Sequence, residues 1–385
     1  LENNNQIVYS NLAPGDPLYS STGLNTHLNF NQWLDNKDTT SIYIYRIASD
    51  LSLLEVAVDV IRNTHNLFML YDSCLEGYTT VEFERLHEYS VKHQLKDKFI
   101  FLSGNRDVEE EYNLWLKDNQ FDKLFKVCYN SNWYYRVKQN TIDYNLKKRT
   151  INKTEWFMCL NNRLHNHRAV AITYMDYLGM LEKGKISCLD KTYELHIANP
   201  ASFSQVVFDY SHEFSEEIFQ TLENQVSLTA QKLPLNLDTE NFLFGSRPHD
   251  FNKAFYNKAL INLVTETYYY ECFNNYSHMF LSEKIWKPIV SKQMFVLIGP
   301  RYALQYLREL GFKTFDDFID ESYDTMDTDK RIFAAINALD HAMKTYTIEE
   351  LNNKTKETRA YNFKHFMSQR IQQILCPDIK KQLCT

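Results

Sequence analysis

Ser282, Glu283 and Lys284 stand side by side in "FLSEKIWKPIVSKQMFVLIGP" at the head of an amphipathic stretch. Serine is a favoured helix N-cap, and Ile285, Ile289 and Val290 follow at helical spacing, which predicts a helix with the carboxylate and ammonium in its first turn. A carboxylate placed there accepts hydrogen bonds from two ribose hydroxyls, and an ammonium beside it neutralises a diphosphate. A capping box followed by a surface lysine fits the same placement.

The stretch "FMCLNNRLHNHR" delivers Asn161, Asn162, Arg163, His165, His167 and Arg168 between an apolar run and a predicted helix. Arg163 and Arg168 have the geometry to clamp a phosphate, and the rival readings are a solvated polar turn or a zinc pair from the two histidines. The zinc reading lacks a third and fourth ligand at sensible spacing. In "ALINLVTETYYY", Thr265 and Glu266 close an apolar strand, either as groups reaching a ligand or as a plain strand terminus. In the first half, Asp72 and Glu76 follow "NLFMLY", and Ser103 and Asn105 lie in "FLSGN". A carboxylate there suits a general base, with Asp72 preferred over Glu76; a turn-capping aspartate is the alternative.

These residues need sheets to hold them. "TSIYIYRIA", "NLFMLYDSC", "DKFIFLSGN" and "DKLFKVCYN" read as strands, with helical spacing in "DLSLLEVAVDVIRNTH", "TVEFERLHEYSVKHQ" and "VEEEYNLWLKDN" between them. Such alternation predicts a largely parallel sheet. The basic, polar segment 136–155 reads as a linker, and the rhythm then restarts. The expected fold class is α/β with two facing Rossmann-like domains, 1–150 and 151–385, the second ending in helices. In open sheets of this kind ligands bind beyond the carboxyl ends of the strands, where helix N-termini converge.

At 385 residues the chain is long enough for two cores. Its net charge of −7 argues against a general polyanion-binding surface, which makes any nucleic-acid contact local. Seven cysteines without a C-x-x-C pair suggest reduced thiols, and the opening residues carry no basic-then-apolar leader pattern. No apolar run reaches membrane-spanning length, so a cytoplasmic protein is expected. G-x-x-x-x-G-K-[ST], G-x-G-x-x-G and G-x-S-x-G are missing, as are a strong D-x-D and zinc-type spacing. These absences remove the main support for NTPase, dinucleotide oxidoreductase, serine hydrolase and metal-dependent sugar-nucleotide readings.

The order Phe280, Leu281, Ser282-Glu283-Lys284, helix, apolar strand ending in Gly299, then "GFKTFDDF" resembles the C-terminal donor motif of the alpha-1,3-fucosyltransferase family. "LNNRLHNHR" is similar to that family's asparagine segment with its phosphate-binding arginine, Asn161 and Arg168 being the matching positions. Leu160 stands where the family has serine, and Phe280 where it has tyrosine. The resemblance implies a GT-B glycosyltransferase, metal-independent and inverting, that needs no cofactor beyond its nucleotide-sugar substrate. By it, Glu283 binds the ribose and Lys284 the diphosphate. Asn161, Ser282 and Phe280 lie on the donor side by the same resemblance; Arg163 and Glu266 join them by their strand-end placement, and Arg168 is expected to act in catalysis, with Asp72 or Glu76, again from strand-end placement, as base. The chain also looks like uncharacterised glycosyltransferase-like proteins of bacteriophages and aquatic bacteria. That likeness implies as acceptor a glycan or a hydroxymethylated pyrimidine of phage DNA, including arabinosyl transfer, in a host's cytoplasm. A non-catalytic nucleotide-sugar or glycan-binding protein of the same fold is the alternative.

Overall fold

The computed structural model describes residues 8–12, 22, 27–35, 41–47, 51–74, 80–143, 152–161, 165–188, 204, 207, 215–233, 235, 253–269, 272–273 and 276–379. Within them the chain is α/β and forms two parallel sheets in two units. The first unit comprises Leu1–Arg136, Glu271–Leu281 and Ser368–Thr385, and the second Val137–Tyr270 and Ser282–Met367. The sequence reading expected a single cut near residue 150, whereas the chain changes unit four times. No helix among the described residues is long and apolar enough to cross a membrane.

The first sheet joins β1 (Val8–Ser10), β2 (Ile42–Ile47), β3 (Leu67–Ser73), β4 (Phe99–Ser103) and β5 (Lys126–Tyr129) in chain order, all parallel. Helices α1 (Phe30–Asp35), α2 (Val58–Asn63), α3 (Thr80–His93) and α4 (Val108–Asn119) fall between the strands. Parallel strands added always in one direction by crossovers of one hand place the helices on one face. The packing agrees: Tyr43, Met69, Tyr71 and Phe101 share a core with Ile61, Phe83, Tyr112 and Trp115 of the helices. The alternate residues Ile44, Leu70, Ile100 and Leu102 form a second core on the other face, completed by Ile379. Ser131 N–H donates to Leu375 O at 2.7 Å, which ties the same late segment to the end of β5.

The segment expected to be a linker is helical over much of its first half, since α5 runs Asn132–Asp143. Tyr134, Val137 and Thr141, spaced three and four apart, are all fully buried, and this stripe holds the helix despite its polar neighbours.

In the second unit β6 (Glu155–Asn161), β7 (Gly184–Cys188) and β8 (Ala259–Thr265) are accompanied by α6 (Asn166–Tyr177), α7 (Glu216–Ala230) and α8 (Lys253–Lys258). A short antiparallel pair, β9 (Cys272–Phe273) with β10 (Tyr276–Ser277), belongs to the first unit. The chain then returns to the second with α9 (Glu283–Val290), β11 (Met294–Ile298) and α10 (Ala303–Glu309). The second sheet has the order β11–β8–β6–β7, parallel throughout. Every residue of β8 and β11 is buried, as continuous apolar strands with both faces covered require. From β6 the chain steps to β7 on one side and later to β8 on the other. The strand order therefore reverses between β6 and β8, and such a switch point opens a crevice at the carboxyl ends. The described strands of the first sheet contain no such reversal.

In the first unit, Gly104 sits where an added Cβ would lie 2.6 Å from the Cys74 carbonyl and 2.6 Å from the Phe280 ring. The carbonyl belongs to the backbone and cannot swing aside, so Gly104→Ala is expected to destabilise by about 1–3 kcal/mol. A denaturant midpoint equal to wild type would show that the contact relaxes freely.

Candidate functional site

The second sheet's switch point is built by three segments that follow β6, β8 and the unit's re-entry at Ser282. β6 and β8 pair from Glu155↔Ala259 through Met158↔Asn262, and the same register puts Asn161 opposite Thr265. There a side-chain bridge joins the strand ends: Thr265 Oγ1 donates to Asn161 Oδ1 at 2.5 Å. Asn161 is fixed further by its own N–H on Ser187 Oγ at 3.1 Å. Thr265 and Asn161 thus set the floor of the switch point and are buried.

Glu266, the next residue, is fully buried and held at every polar handle but one. Its N–H donates to Ile298 O of β11 at 2.8 Å. Its carbonyl accepts from His167 Nε2 at 2.9 Å and Arg168 Nη2 at 3.1 Å, both from α6. Oε2 accepts from Ser282 Oγ at 2.6 Å, Ser282 N at 3.2 Å and Thr267 N at 3.1 Å. Oε1 is buried and has no hydrogen-bond partner among the described residues. Burial raises the Glu266 carboxyl above its ordinary range, with Lys284 and the Ser282 bond pulling it partly back.

Ser282 caps α9 from an extended conformation, its Oγ accepting from Lys284 N at 3.3 Å. The helix buries Ile285, Trp286, Ile289 and Val290, which orients its first turn. Lys284 Nζ donates to Thr267 Oγ1 at 2.9 Å, Ser282 Oγ at 3.2 Å and Glu283 Oε1 at 3.3 Å. Its side chain keeps 24% of its surface exposed, more than the 11% of Glu283 beside it. Burial works to raise the Glu283 carboxyl, but Lys284 and Lys287 outweigh it and hold it below its ordinary value.

His167 is buried, and burial together with the Arg168 charge keeps its pKa well below the usual histidine range, so the ring is neutral. It stacks on Tyr269 at 5.4 Å between ring centroids. Zinc binding by His165 and His167 is at odds with this, since His167 Nε2 is spent on the Glu266 carbonyl. Among the described residues no group of three or more His, Cys, Asp or Glu is arranged to hold a metal ion. The helix start after β11 is also filled. In α10, Leu304 N and Gln305 N both donate to the Asp324 carboxylate at 2.9 Å.

The structure therefore brings Asn161, Arg168, Glu266, Ser282, Glu283 and Lys284 together. Arg168 is buried, and its guanidinium donates to main-chain carbonyls of Glu266 and, at 3.4 Å, Thr265. Phe280 belongs to the first unit, against Gly104 and bridged to Asn105. Asp72 ends up in an ion pair: Arg46 Nη2 and Nε donate to Oδ2 at 2.6 and 3.0 Å, and Cys74 Sγ donates to Oδ1 at 2.9 Å. Ser103 and Asn105 are buried in turn contacts, Asn105 Nδ2 donating to Glu111 Oε2 at 2.7 Å. Glu76 and Arg163 lie outside the described residues. Sequence reasoning missed Thr267, whose signal was its place one residue past Glu266 in "TET", and Asp324, which had none.

No family model matches the chain, and no curated protein sequence matches it.

Elsewhere in the second unit, Glu321 accepts from Phe315 N at 2.7 Å and Arg308 Nη1 at 2.9 Å. Burial still pushes its carboxyl up from 4.5 to about 7. A carboxyl raised on folding binds more protons folded than unfolded, so its contribution to stability falls as pH rises from about 4.5 through about 7. Glu321→Gln should flatten that part of the stability profile. An unaltered slope in urea titrations between those pH values would assign the pH dependence to other groups.

Proposed function

We propose that the chain is a metal-independent glycosyltransferase of the GT-B kind, moving a sugar from a nucleotide-diphosphate donor to an acceptor hydroxyl with inversion. The observation that carries this reading is Lys284. Its side chain is partly exposed at the carboxyl edge of a parallel sheet, beside a switch point and a capped helix start, with a carboxylate at its side. The resemblance of the Ser-Glu-Lys stretch to the fucosyltransferase donor motif supports the same assignment of Lys284 to the diphosphate and Glu283 to the ribose.

In this reading the leaving diphosphate gains negative charge as the glycosidic bond breaks, and Lys284 stabilises that charge by direct hydrogen bonds. Arg168 adds a fixed positive charge from within the wall of the site, acting over a short range while it holds the strand-end carbonyls. Glu283, kept ionised, accepts from hydroxyls. On the acceptor side, Asp72 acts as base only by exchanging its Arg46 bond for the acceptor hydroxyl, so the decisive test lies with the donor. A glycan or a hydroxymethylated pyrimidine in DNA is the acceptor.

The test is a calorimetric screen of nucleoside diphosphates and their sugars, followed by diphosphate release with candidate acceptors. Binding of one nucleotide series, with release that requires an acceptor, is the expected result. A chain that binds none of them is not a nucleotide-sugar enzyme, and one that binds without transfer is a binding protein.

A further inference from the structure

Glu266 has the residue type and strand-end position of a ligand-binding group, but its surroundings give it a different task. Both carboxylate oxygens are shut away from ligand: Oε2 is taken by Ser282 N, Ser282 Oγ and Thr267 N, and Oε1 is buried. The main chain of the same residue is clamped to β11 through Ile298 and to α6 through His167 and Arg168. The two hydroxyls that receive the Lys284 ammonium, Thr267 Oγ1 and Ser282 Oγ, belong to the two residues whose backbone N–H groups Glu266 Oε2 holds.

We infer that Glu266 is a positioning residue: it never touches the donor, and acts by fixing Ser282 and Thr267 so that they aim Lys284 at the diphosphate. The inference rests on the reading of Lys284 as the diphosphate-binding cation. A glutamine keeps an acceptor at the same point and matches the carboxyl closely in size.

The consequences differ from those of a direct ligand. Losing the shared acceptor of these three donors in Glu266→Ala is expected to weaken nucleoside-diphosphate binding by about 10- to 100-fold. Glu266→Gln should recover most of that loss. Because Glu266 acts through Lys284, the double variant Glu266→Ala/Lys284→Ala should bind no more weakly than Lys284→Ala alone, which is the signature of full coupling. A glutamine variant as weak as the alanine one, or additive losses in the double variant, would overturn the inference.

A second measurement needs no donor. Acylation of Lys284 by an N-hydroxysuccinimide ester, followed by peptide mass spectrometry, reads how firmly the ammonium is held. Labelling should quicken in Glu266→Ala and stay near wild type in Glu266→Gln; equal rates in all three proteins refute positioning. If Glu266→Ala does not fold, Ser282→Ala removes the hydroxyl between the two groups and should quicken labelling in the same way, an unchanged rate again counting against the idea. Should wild type bind no nucleoside diphosphate, the glycosyltransferase reading fails, and the labelling arm alone decides the role of Glu266.

Discussion

Lys284→Ala is expected to weaken nucleotide-diphosphate binding by about 10- to 100-fold, the loss that follows when a charge-assisted hydrogen bond to an anion is removed. The fold should survive. Lys284 is in the first turn of α9, its side chain is partly exposed, and the cap at Ser282 and the buried face of the helix do not depend on it. Alanine is also a good helix former at this position. In the free protein the ammonium is shared among Thr267, Ser282 and Glu283, so an arriving diphosphate exchanges these acceptors for phosphate oxygens instead of meeting a bare charge. Partial burial also limits screening by salt, so the difference between variant and wild type should persist at physiological ionic strength. Titration calorimetry with the preferred nucleotide checks this, and equal dissociation constants would remove the diphosphate from Lys284.

Two residues along the same helix, Trp286→Ala is expected to have the largest effect on stability, a loss of about 3–5 kcal/mol. Trp286 is fully buried, with its ring 5.9 Å from Phe312 and 6.0 Å from Phe366 between centroids. Removing it leaves a cavity between aromatic groups of two separate segments, which cannot both move inward without disturbing their own packing. Donor binding measured on the folded fraction should fall as well, because Trp286 anchors the helix that carries Glu283 and Lys284. A denaturant midpoint shifted by less than the equivalent of about 1 kcal/mol would mean that this part of the core closes over the gap.

Local chemistry was readable from the sequence wherever it was continuous. Ser282 as a cap, the apolar strand before Gly299 and the strand ending at Thr265 are all where spacing placed them. Contacts between distant segments were not readable. Nothing local pairs Asn161 with Thr265 or Glu266 with Ser282, since these bonds depend on which strands become neighbours. Arg168 shows the same limit: its type and loop position suit a phosphate, while burial against the Thr265 and Glu266 carbonyls at the end of β8 is set by the sheet order. The helix at Asn132–Asp143 was hidden because its buried stripe of Tyr134, Val137 and Thr141 is thin beside the surrounding charge.

The return of the chain to the first unit has a consequence for biosynthesis. One face of the five-stranded sheet is finished by Ile379, from a stretch translated after the whole of the second unit. The strands and helices of residues 41–129 leave the ribosome early, and their helix-covered face is able to close at once. The opposite face, around Ile44, Leu70, Ile100 and Leu102, lacks Ile379 until translation has passed that residue. A nascent chain of this kind holds this apolar core incomplete while the second unit is made, which favours holding chaperones and disfavours expression as an isolated N-terminal fragment.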